Sequence, residues 1–223
     1  MRLLDLFSGA GGAAVGYSRA GFEVVGVDIA PQPNYPFEFH QGDALDFLSE
    51  HGKDFDLIHA SPPCQKYTNA QRIRNNQHPD LIASLRGLLH VMPVPYVIEN
   101  VEGAPLINPW ILCGSMFPGL RVYRHRLFES SFPVRTPVHP SHEAKVTKMG
   151  RPPCPGEFMH VVGNFSGVPS AREAMGISWM TRNELKEAIP PAFAEFAGNV
   201  FSGRGGSHPT VMPLWPNWKR HWI

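Results

Sequence analysis

The sequence predicts an α/β domain in which helices cover both faces of a mostly parallel β-sheet. Three observations support this class: apolar runs alternate with helical patterns, the runs are nearly continuous rather than alternating, and a glycine-rich turn follows the first of them. The length of 223 residues suits one ordinary domain with a small appendage. We therefore expect one sheet covered on both faces, plus a small irregular region.

The first half of the chain carries the strand and helix patterns in alternation. Residues 2–7 form an apolar strand that leads through SGAGG into a helix with apolar positions at Ala14, Tyr17 and Ala20. Further strands are predicted at 22–29, 55–61 and 95–101, and further helices at 44–50 and 80–90.

The second half begins with a loop-rich stretch and ends in helices. After residue 102 the chain becomes dense in proline, histidine and basic residues. Helical patterns return at 170–177 and 181–201, where Thr181 and Glu184 match a capping box. Two consecutive prolines at 190 and 191 interrupt the last pattern, so we expect two helices there.

Composition and charge narrow the class of protein. Lys and Arg number 20 against 19 Asp and Glu, so no global basic field indicates a nucleic-acid partner, and any such contact must be local. The three cysteines, Cys64, Cys113 and Cys154, are widely spaced and fit reduced thiols. No signal peptide or membrane span is visible, and a cytoplasmic location is expected.

The stretch DLFSGAGG at residues 5–12 is typical of a ligand-binding turn. Glycines let backbone amides approach a ligand, and the N-terminus of the following helix favours negative charge. A tight turn without a ligand also explains the glycines. Asp28 ends the next strand, where a carboxylate accepts hydrogen bonds from ribose hydroxyls, and Asp43 follows a later short run. Together they predict an adenosine-containing cofactor.

Cys64 stands in SPPCQ, directly after two prolines at the end of a predicted strand. A buried, inert cysteine is one interpretation. Against it, the prolines fix the backbone and a polar run follows, with Lys66, Arg72 and Arg74 nearby in sequence. A thiol held in this way is a candidate nucleophile with a lowered pKa.

Two further motifs carry ionisable groups. Glu99 follows an apolar strand in VIENV, where a buried carboxyl group is costly unless paired or protonated; a structural cap is the alternative. Arg124 and Arg126 in YRHRLF are spaced to share one face of a strand, although surface arginines are common.

These four motifs, in this order, resemble the DNA (cytosine-5) methyltransferase family over residues 2–201. REAMGI at 172–177 and AIPPAFAEFAGNV at 188–200 resemble later blocks of the same family. The resemblance implies a Rossmann-like S-adenosylmethionine-dependent methyltransferase fold and methylation of cytosine C5 in duplex DNA, of the kind used in restriction-modification.

The resemblance also implies roles for individual residues. Cys64 would add to C6 of a flipped-out cytosine, Glu99 would protonate N3, Arg126 would hold O2 and Arg124 would support the site. Residues implied to bind S-adenosylmethionine are Phe7, Ser8, Gly9, Gly11, Gly12, Asp28, Ile29, Asp43, Ala44, Pro62 and Asn199. Residues implied to contact nucleic acid are Gln65, Lys66, Arg72 and Arg74.

The chain departs from the family pattern in several places. Tyr67 lies where the family has a small glycine-containing run, Val122 where a glutamine is common, and Val200 where a small polar residue is common. The region between the arginine motif and REAMGI is also much shorter than the usual target-recognition domain, which predicts short or relaxed sequence specificity.

The expected organisation follows from these motifs. We predict a catalytic and cofactor-binding core at 1–128, a short recognition insert at 129–170, core-completing helices at 171–201 and an irregular tail at 202–223. The protein is expected to act as a monomer, without a membrane, in a prokaryotic or phage-infected cell.

Several alternatives remain open from the sequence. RNA or a free nucleotide could accept the same attack on cytosine, and a non-catalytic DNA-binding relative is a rival of another class. Methylation of adenine is disfavoured because that chemistry favours an aromatic residue after two prolines. His139, His142, Cys154 and His160 match no common zinc spacing, so no metal is expected.

Overall fold

A seven-stranded sheet forms the centre of the protein. The computed structural model describes residues 1–63, 80–147, 151 and 153–204. The strands are β1 (Arg2–Leu6), β2 (Glu23–Asp28), β3 (Glu38–Gln41), β4 (Leu57–Ala60), β5 (Tyr96–Asn100), β6 (Trp110–Leu112) and β7 (Arg126–Ser130). Their order is β3-β2-β1-β4-β5-β7-β6. The first five strands in this order run parallel, and β7 runs antiparallel to both of its neighbours.

Six α-helices are described. They are α1 (Gly12–Arg19), α2 (Ala44–His51), α3 (Leu81–Val91), α4 (Val168–Met175), α5 (Arg182–Glu187) and α6 (Pro191–Phe201). The capping box predicted at the start of α5 is present, with the Thr181 side chain accepting from the Glu184 amide and the Glu184 side chain accepting from the Thr181 amide. The pair of prolines separates α5 from α6, as the sequence predicts.

Apolar side chains cover the sheet on two faces. One cluster joins the sheet to α1 and α6 through Tyr17, Phe128 and Phe193, and a second joins it to α2 and α3 through Leu48 and Leu85. The nearly continuous burial of β1, β4 and β5 explains why apolar residues fill consecutive positions in these strands rather than only alternate ones. The predicted α/β class is therefore confirmed.

A third apolar cluster attaches the loop-rich part of the chain to the core. Met159, Val161 and Phe165 pack with Val122 and with residues of α4. Between residues 131 and 167, the described part contains one isolated bridge, Val146 to Phe158, and no other strand or helix. Among the described residues, no helix has the length and apolar character needed to cross a bilayer.

Candidate active site

The candidate groups gather at one edge of the sheet because the strands that precede them are parallel neighbours. β1 lies between β2 and β4, and β5 lies beside β4. The glycine loop follows β1, Pro62 follows β4, and Glu99 lies near the end of β5. The chain passes from β1 to β2 on one side of β1 and from β3 to β4 on its other side. This reversal opens a crevice at the carboxyl ends of the strands, where ligands bind in folds of this class.

The glycine loop is held by hydrogen bonds to two other parts of the chain. The Gly9 amide donates to Oδ2 of Asp28 at 2.9 Å, and the Ser8 amide donates to the carbonyl of Val27 at 3.1 Å. From the C-terminal part, the Trp179 indole donates to the Ala10 carbonyl at 2.8 Å. These bonds fix the loop before any ligand arrives.

The same loop fits an adenosine cofactor on its open side. Gly9 has φ +48°, a conformation that L side chains rarely adopt, and no described atom lies within 4 Å of a Cβ added there. The Ser8 hydroxyl oxygen is buried and has no hydrogen-bond partner among the described residues. Ile29, one residue beyond β2, is 70% exposed and offers an apolar surface at this edge. The preceding Phe7 takes φ +56°, a strained value of the kind found at ligand sites.

The two predicted cofactor carboxylates also serve the fold. Oδ1 of Asp28 accepts from the Ala30 amide at 3.0 Å, and Oδ1 of Asp43 caps α2 by accepting from the Leu45 amide at 2.8 Å. A carboxylate has about four acceptor sites, so each group keeps capacity for a ligand hydroxyl or amine. The buried Ala44 is the first residue of α2.

The remaining glycines of the loop set the packing of α1. A Cβ at Gly12 would lie 2.6 Å from the carbonyl oxygen of Ile189, and one at Gly11, where φ is +82°, would lie 2.8 Å from Pro36. Glycine at these positions lets the chain segments meet closely. Both glycines allow this close packing at the start of α1, and their contact with the cofactor stays a prediction.

The predicted position of Asn199 at the cofactor pocket is wrong. α6 runs alongside α1 in the same direction, because Ile189 meets Gly12 whereas Gly198 meets Ala20. Asn199 therefore lies at the end of α1 away from the glycine loop. The sequence pattern correctly predicts a helix here. Which end of that helix lies beside the glycine loop depends on its packing against α1.

Pro62 is anchored to the strand that carries Glu99. The side-chain amide of Asn100 donates to the Pro62 carbonyl at 2.8 Å, and both residues are buried. In the parallel pairing, Ala60 lies opposite Ile98, so the chain leaves β4 next to Glu99. Cys64 follows two residues later. Cys64, together with Gln65, Lys66, Arg72 and Arg74, lies outside the described residues.

Glu99 and Arg126 form a buried ion pair at this edge. Nε of Arg126 lies 3.0 Å from Oε1 of Glu99, and the two side chains are 16% and 7% exposed. The contact lacks the alignment of a hydrogen bond, since Oε1 has no such partner among the described residues. Burial raises the pKa of Glu99, and Arg126, a hydrogen bond from Ser61 and Arg124 oppose the shift only in part.

A buried polar chain leads from α1 to Glu99. The Tyr17 hydroxyl lies 3.1 Å from Nδ1 of His59, and Nε2 of His59 lies 3.0 Å from the Ser61 hydroxyl. Because Ser61 donates to Glu99, a consistent network has Nε2 of His59 donating to Ser61 and Tyr17 donating to Nδ1. Burial lowers the pKa of His59 to about 3, so its ring is neutral. The sequence analysis missed this histidine, because it lies inside an apolar strand.

Arg124 does not share a strand with Arg126, contrary to the prediction. β7 begins at Arg126, and Arg124 takes φ +35° in the preceding segment. Its guanidinium donates to the carbonyls of Val161 at 2.9 Å and Lys186 at 2.6 Å. Arg124 therefore ties the loop-rich region and the C-terminal helices to the segment that leads into Arg126. Its predicted role in supporting the site stays a prediction.

Comparison with protein families and curated proteins gives consistent results. A family model described as C-5 cytosine-specific DNA methylase matches residues 1–105. The Type II methyltransferase M.FnuDI of Fusobacterium nucleatum is 33% identical over 113 residues, 46% of this chain and 33% of that protein. The Type II methyltransferase M.HgiGI of Herpetosiphon aurantiacus is 31% identical over 124 residues, 48% of this chain and 94% of that protein.

Solved structures support the fold. A prophage-encoded E. coli protein described as a DNA modification methyltransferase gives a TM-score of 0.64 at 15% identity, over 91% of this chain and 99% of that one. The Dnmt2 methyltransferase of S. pombe gives 0.59 at 14% identity, over 92% and 99%. At these identities the likeness concerns the fold alone, and that fold is the predicted methyltransferase fold.

The relatives differ in how much of their length is matched. The chain spans 33% of M.FnuDI and 38% of the Type II methyltransferase M.HgiDI of Herpetosiphon aurantiacus, so it covers less than half of these two proteins. It spans 94% of M.HgiGI. The family model, the relative matched over nearly its whole length and the residues at the sheet edge all indicate the same family. The chain therefore belongs to the C-5 cytosine-specific DNA methylase family.

Proposed function

We propose that this protein transfers a methyl group from S-adenosylmethionine to C5 of cytosine in duplex DNA. The observation that carries the proposal is the buried Glu99, whose pKa is raised. Glu99 contacts Arg126 and directly precedes Asn100, which anchors the SPPCQ loop through Pro62. Burial that raises the pKa of a carboxyl group favours its protonated form, which can donate a proton to a ring nitrogen. The family and its Type II methyltransferase members favour DNA as the acceptor.

The proposed mechanism assigns one step to each group. The Cys64 thiolate forms a bond to C6 of cytosine while Glu99 gives its proton to N3, which places electron density on C5. S-adenosylmethionine supplies an electrophilic methyl group to that carbon. The methyl donor leaves as S-adenosylhomocysteine. Loss of the C5 proton to water then breaks the bond between C6 and sulfur and releases the Cys64 thiolate, and N3 returns its proton to Glu99. Arg126, through its guanidinium, would hold O2 of the ring beside Glu99.

Anchoring of the Cys64 loop is part of this proposal. Addition of sulfur to an aromatic ring requires the thiol to be held near C6 in a narrow range of geometries. The bond from Asn100 to Pro62 fixes the loop two residues before Cys64, on the strand that also carries Glu99. Strand β5 therefore positions both the proposed acid, Glu99, and the start of the loop that carries Cys64.

The cofactor would lie across the carboxyl ends of β1 and β2. The Gly9 amide region, the Ser8 hydroxyl and the exposed Ile29 would contact it, and Asp28 and Asp43 would accept hydrogen bonds from its hydroxyl and amine groups. The Phe7 backbone holds the entrance to the loop in a strained conformation. Asn199 is not included in this set.

The target cytosine would be flipped out of the duplex, at a cost of a few kcal/mol. Gln65, Lys66, Arg72 and Arg74 are proposed to close over it and to contact phosphates, which would make binding weaken as salt rises. The short insert offers little surface for reading base edges, so short or relaxed specificity is expected.

One experiment separates the possible acceptors. The full chain is incubated with tritium-labelled S-adenosylmethionine and with mixed-sequence duplex DNA, tRNA or dCMP in parallel. We expect label in DNA, located at cytosine C5 by bisulfite sequencing. Label found only in tRNA or dCMP would overturn the choice of acceptor. No transfer to any of the three, with cofactor binding intact, would favour the non-catalytic alternative.

A further inference from the structure

Four side chains from separate parts of the chain converge beside β7. They are Cys113, His125, His139 and His142, and their ligand atoms all lie within 4.8 Å of one another. Cys113 is buried and the three histidines are half-buried. Sequence spacing alone does not indicate this set, because the first two members come from the core and the last two from the insert.

The distances match the edges of a tetrahedral coordination site. Nε2 of His125 lies 3.1 Å from Nε2 of His139, and Sγ of Cys113 lies 3.4 Å from Nε2 of His142. In a tetrahedral zinc site, bond lengths of about 2.0–2.3 Å place neighbouring ligand atoms roughly 3.3–3.6 Å apart. A hydrogen bond explains either pair alone, but it does not explain why all four ligand atoms lie within 4.8 Å of one another.

The ring positions agree with the same centre. The ring centroid of His142 lies 5.0 Å from those of His125 and His139, and the latter two lie 5.3 Å apart. Each imidazole therefore has the other two as neighbours at similar distance. Three imidazoles and a thiol together supply four nitrogen and sulfur donors, which are the number and types of ligand that a four-coordinate zinc ion takes.

Surrounding residues hold these ligands in place. The Tyr123 ring stacks on His142 at 3.7 Å, and its hydroxyl donates to the Ala144 carbonyl at 2.8 Å. The Gly114 amide donates to the Tyr123 carbonyl at 2.7 Å, which ties the residue after Cys113 to the same tyrosine. Oε2 of Glu102 lies 4.0 Å from Nδ1 of His125, which is too far for a hydrogen bond but places a negative charge on the side of the ring away from His139.

We propose that Cys113, His125, His139 and His142 bind one structural Zn²⁺ ion. The ion joins the insert to the segment between Arg124 and Arg126, and so to the strand that supplies the arginine partner of Glu99. The described part of the insert has one isolated bridge of its own, and small segments without a core commonly depend on a metal for their fold. This proposal does not depend on the acceptor of the methyl group.

The proposal replaces the sequence-based expectation of no metal. That expectation considered His139 and His142 together with Cys154 and His160. The structure places Cys154 and His160 elsewhere: Cys154 is exposed and accepts from Arg151, and His160 is exposed. These two residues supply matched controls, since each is the same residue type as a proposed ligand and lies in the same region.

Zinc content tests the proposal directly. The full chain, purified without a metal-affinity tag, is incubated with zinc, dialysed against chelator-treated buffer and measured by plasma mass spectrometry. We expect one zinc per chain in the wild type and in Cys154→Ser and His160→Ala, and loss of zinc in Cys113→Ser and His142→Ala. A wild type without zinc, or equal loss in the control variants, would overturn the proposal.

A spectroscopic measurement on the wild type covers the case in which a ligand variant fails to fold. Cobalt is substituted for zinc in the full chain, and the visible and near-ultraviolet spectrum is recorded. We expect the strong visible bands of tetrahedral cobalt together with a thiolate-to-metal charge-transfer band. A spectrum of octahedral cobalt, or one without the sulfur band, contradicts the assignment even if no variant can be purified.

Discussion

Replacing Glu99 with glutamine tests the acid proposed for this site. Glutamine keeps the size of the side chain and can still donate a hydrogen bond to N3, but it has no proton to transfer. A positioned general acid contributes roughly 10²–10⁴-fold to rate, which corresponds to about 3–5 kcal/mol. We therefore expect kcat to fall by about 100-fold or more, with cofactor affinity nearly unchanged.

The rate of methyl transfer should depend on pH through the protonation of Glu99. Burial raises the pKa of Glu99 above its ordinary value of 4.5, while the nearby Arg126 opposes this shift. Because the protonated form is the active one, the wild-type rate falls as pH rises through the raised pKa. The same group contributes to the free energy of unfolding fully below pH 4.5, and this contribution is lost as pH rises through the folded-state pKa.

Initial rates of tritium transfer to duplex DNA, measured from mildly acidic to mildly basic pH, check this prediction. Glu129→Gln is the matched control, because Glu129 is also buried but pairs with Arg86 at 2.7 Å, away from the site. We expect the control to lose stability and to keep the shape of the wild-type pH profile. If Glu99→Gln kept both the wild-type kcat and the wild-type alkaline decline, the assigned acid would be wrong.

Three further substitutions test the supports of the site. Asp28→Ala removes the acceptor of the Gly9 amide and should weaken S-adenosylmethionine binding before it slows the chemical step; calorimetric titration that finds unchanged affinity would contradict this. Asn100→Ala leaves the buried Pro62 carbonyl without its donor, which should cost about 1–3 kcal/mol of unfolding free energy, measured by urea unfolding. The same substitution should lower kcat more than it lowers cofactor affinity, and equal losses of kcat and affinity would count against an anchored loop. His59→Phe should flatten the loss of stability that the wild type shows as pH falls from 6.5 toward about 3. In this range the unfolded state binds a proton that the buried ring does not, which lowers the free energy of unfolding by up to ~1.4 kcal/mol per pH unit. An unchanged slope in unfolding measurements would refute the neutral assignment.

Local patterns predicted much of the fold. The strand, glycine turn and helix at the start of the chain follow from short-range chemistry, and so does the capping box of Thr181 and Glu184. The paired prolines at 190 and 191 divided the last helical pattern as expected. These features depend on residues close in sequence, whose preferences the tertiary structure did not override.

Features that depend on distant contacts were not predictable in the same way. Trp110–Leu112 forms a strand only because β7 pairs with it, and its three residues carry no pattern of their own. Arg124 leaves the extended conformation to reach carbonyls of Val161 and Lys186. The direction of α6, on which the position of Asn199 depends, is likewise set by packing against α1.

The candidate site shows the same division. Glu99 and Arg126 were identified from sequence, and the structure brings them within 3.0 Å. His59 was missed because a histidine inside an apolar strand has no local signal until its partners at 17 and 61 are known. The cluster around Cys113 was missed because its four members come from three separate segments, of which only the one with His139 and His142 was considered.

Covalent trapping on Cys64 tests the central claim most directly. Mixed-sequence duplex DNA with 5-fluorocytosine in place of cytosine is incubated with the full chain and S-adenosylmethionine, and the protein is digested for peptide mass spectrometry. The account predicts a stable adduct between Cys64 and the fluorinated base, which Cys64→Ala abolishes and Cys154→Ala retains. An enzyme that methylates DNA yet forms no adduct, or forms one on another residue, would contradict it.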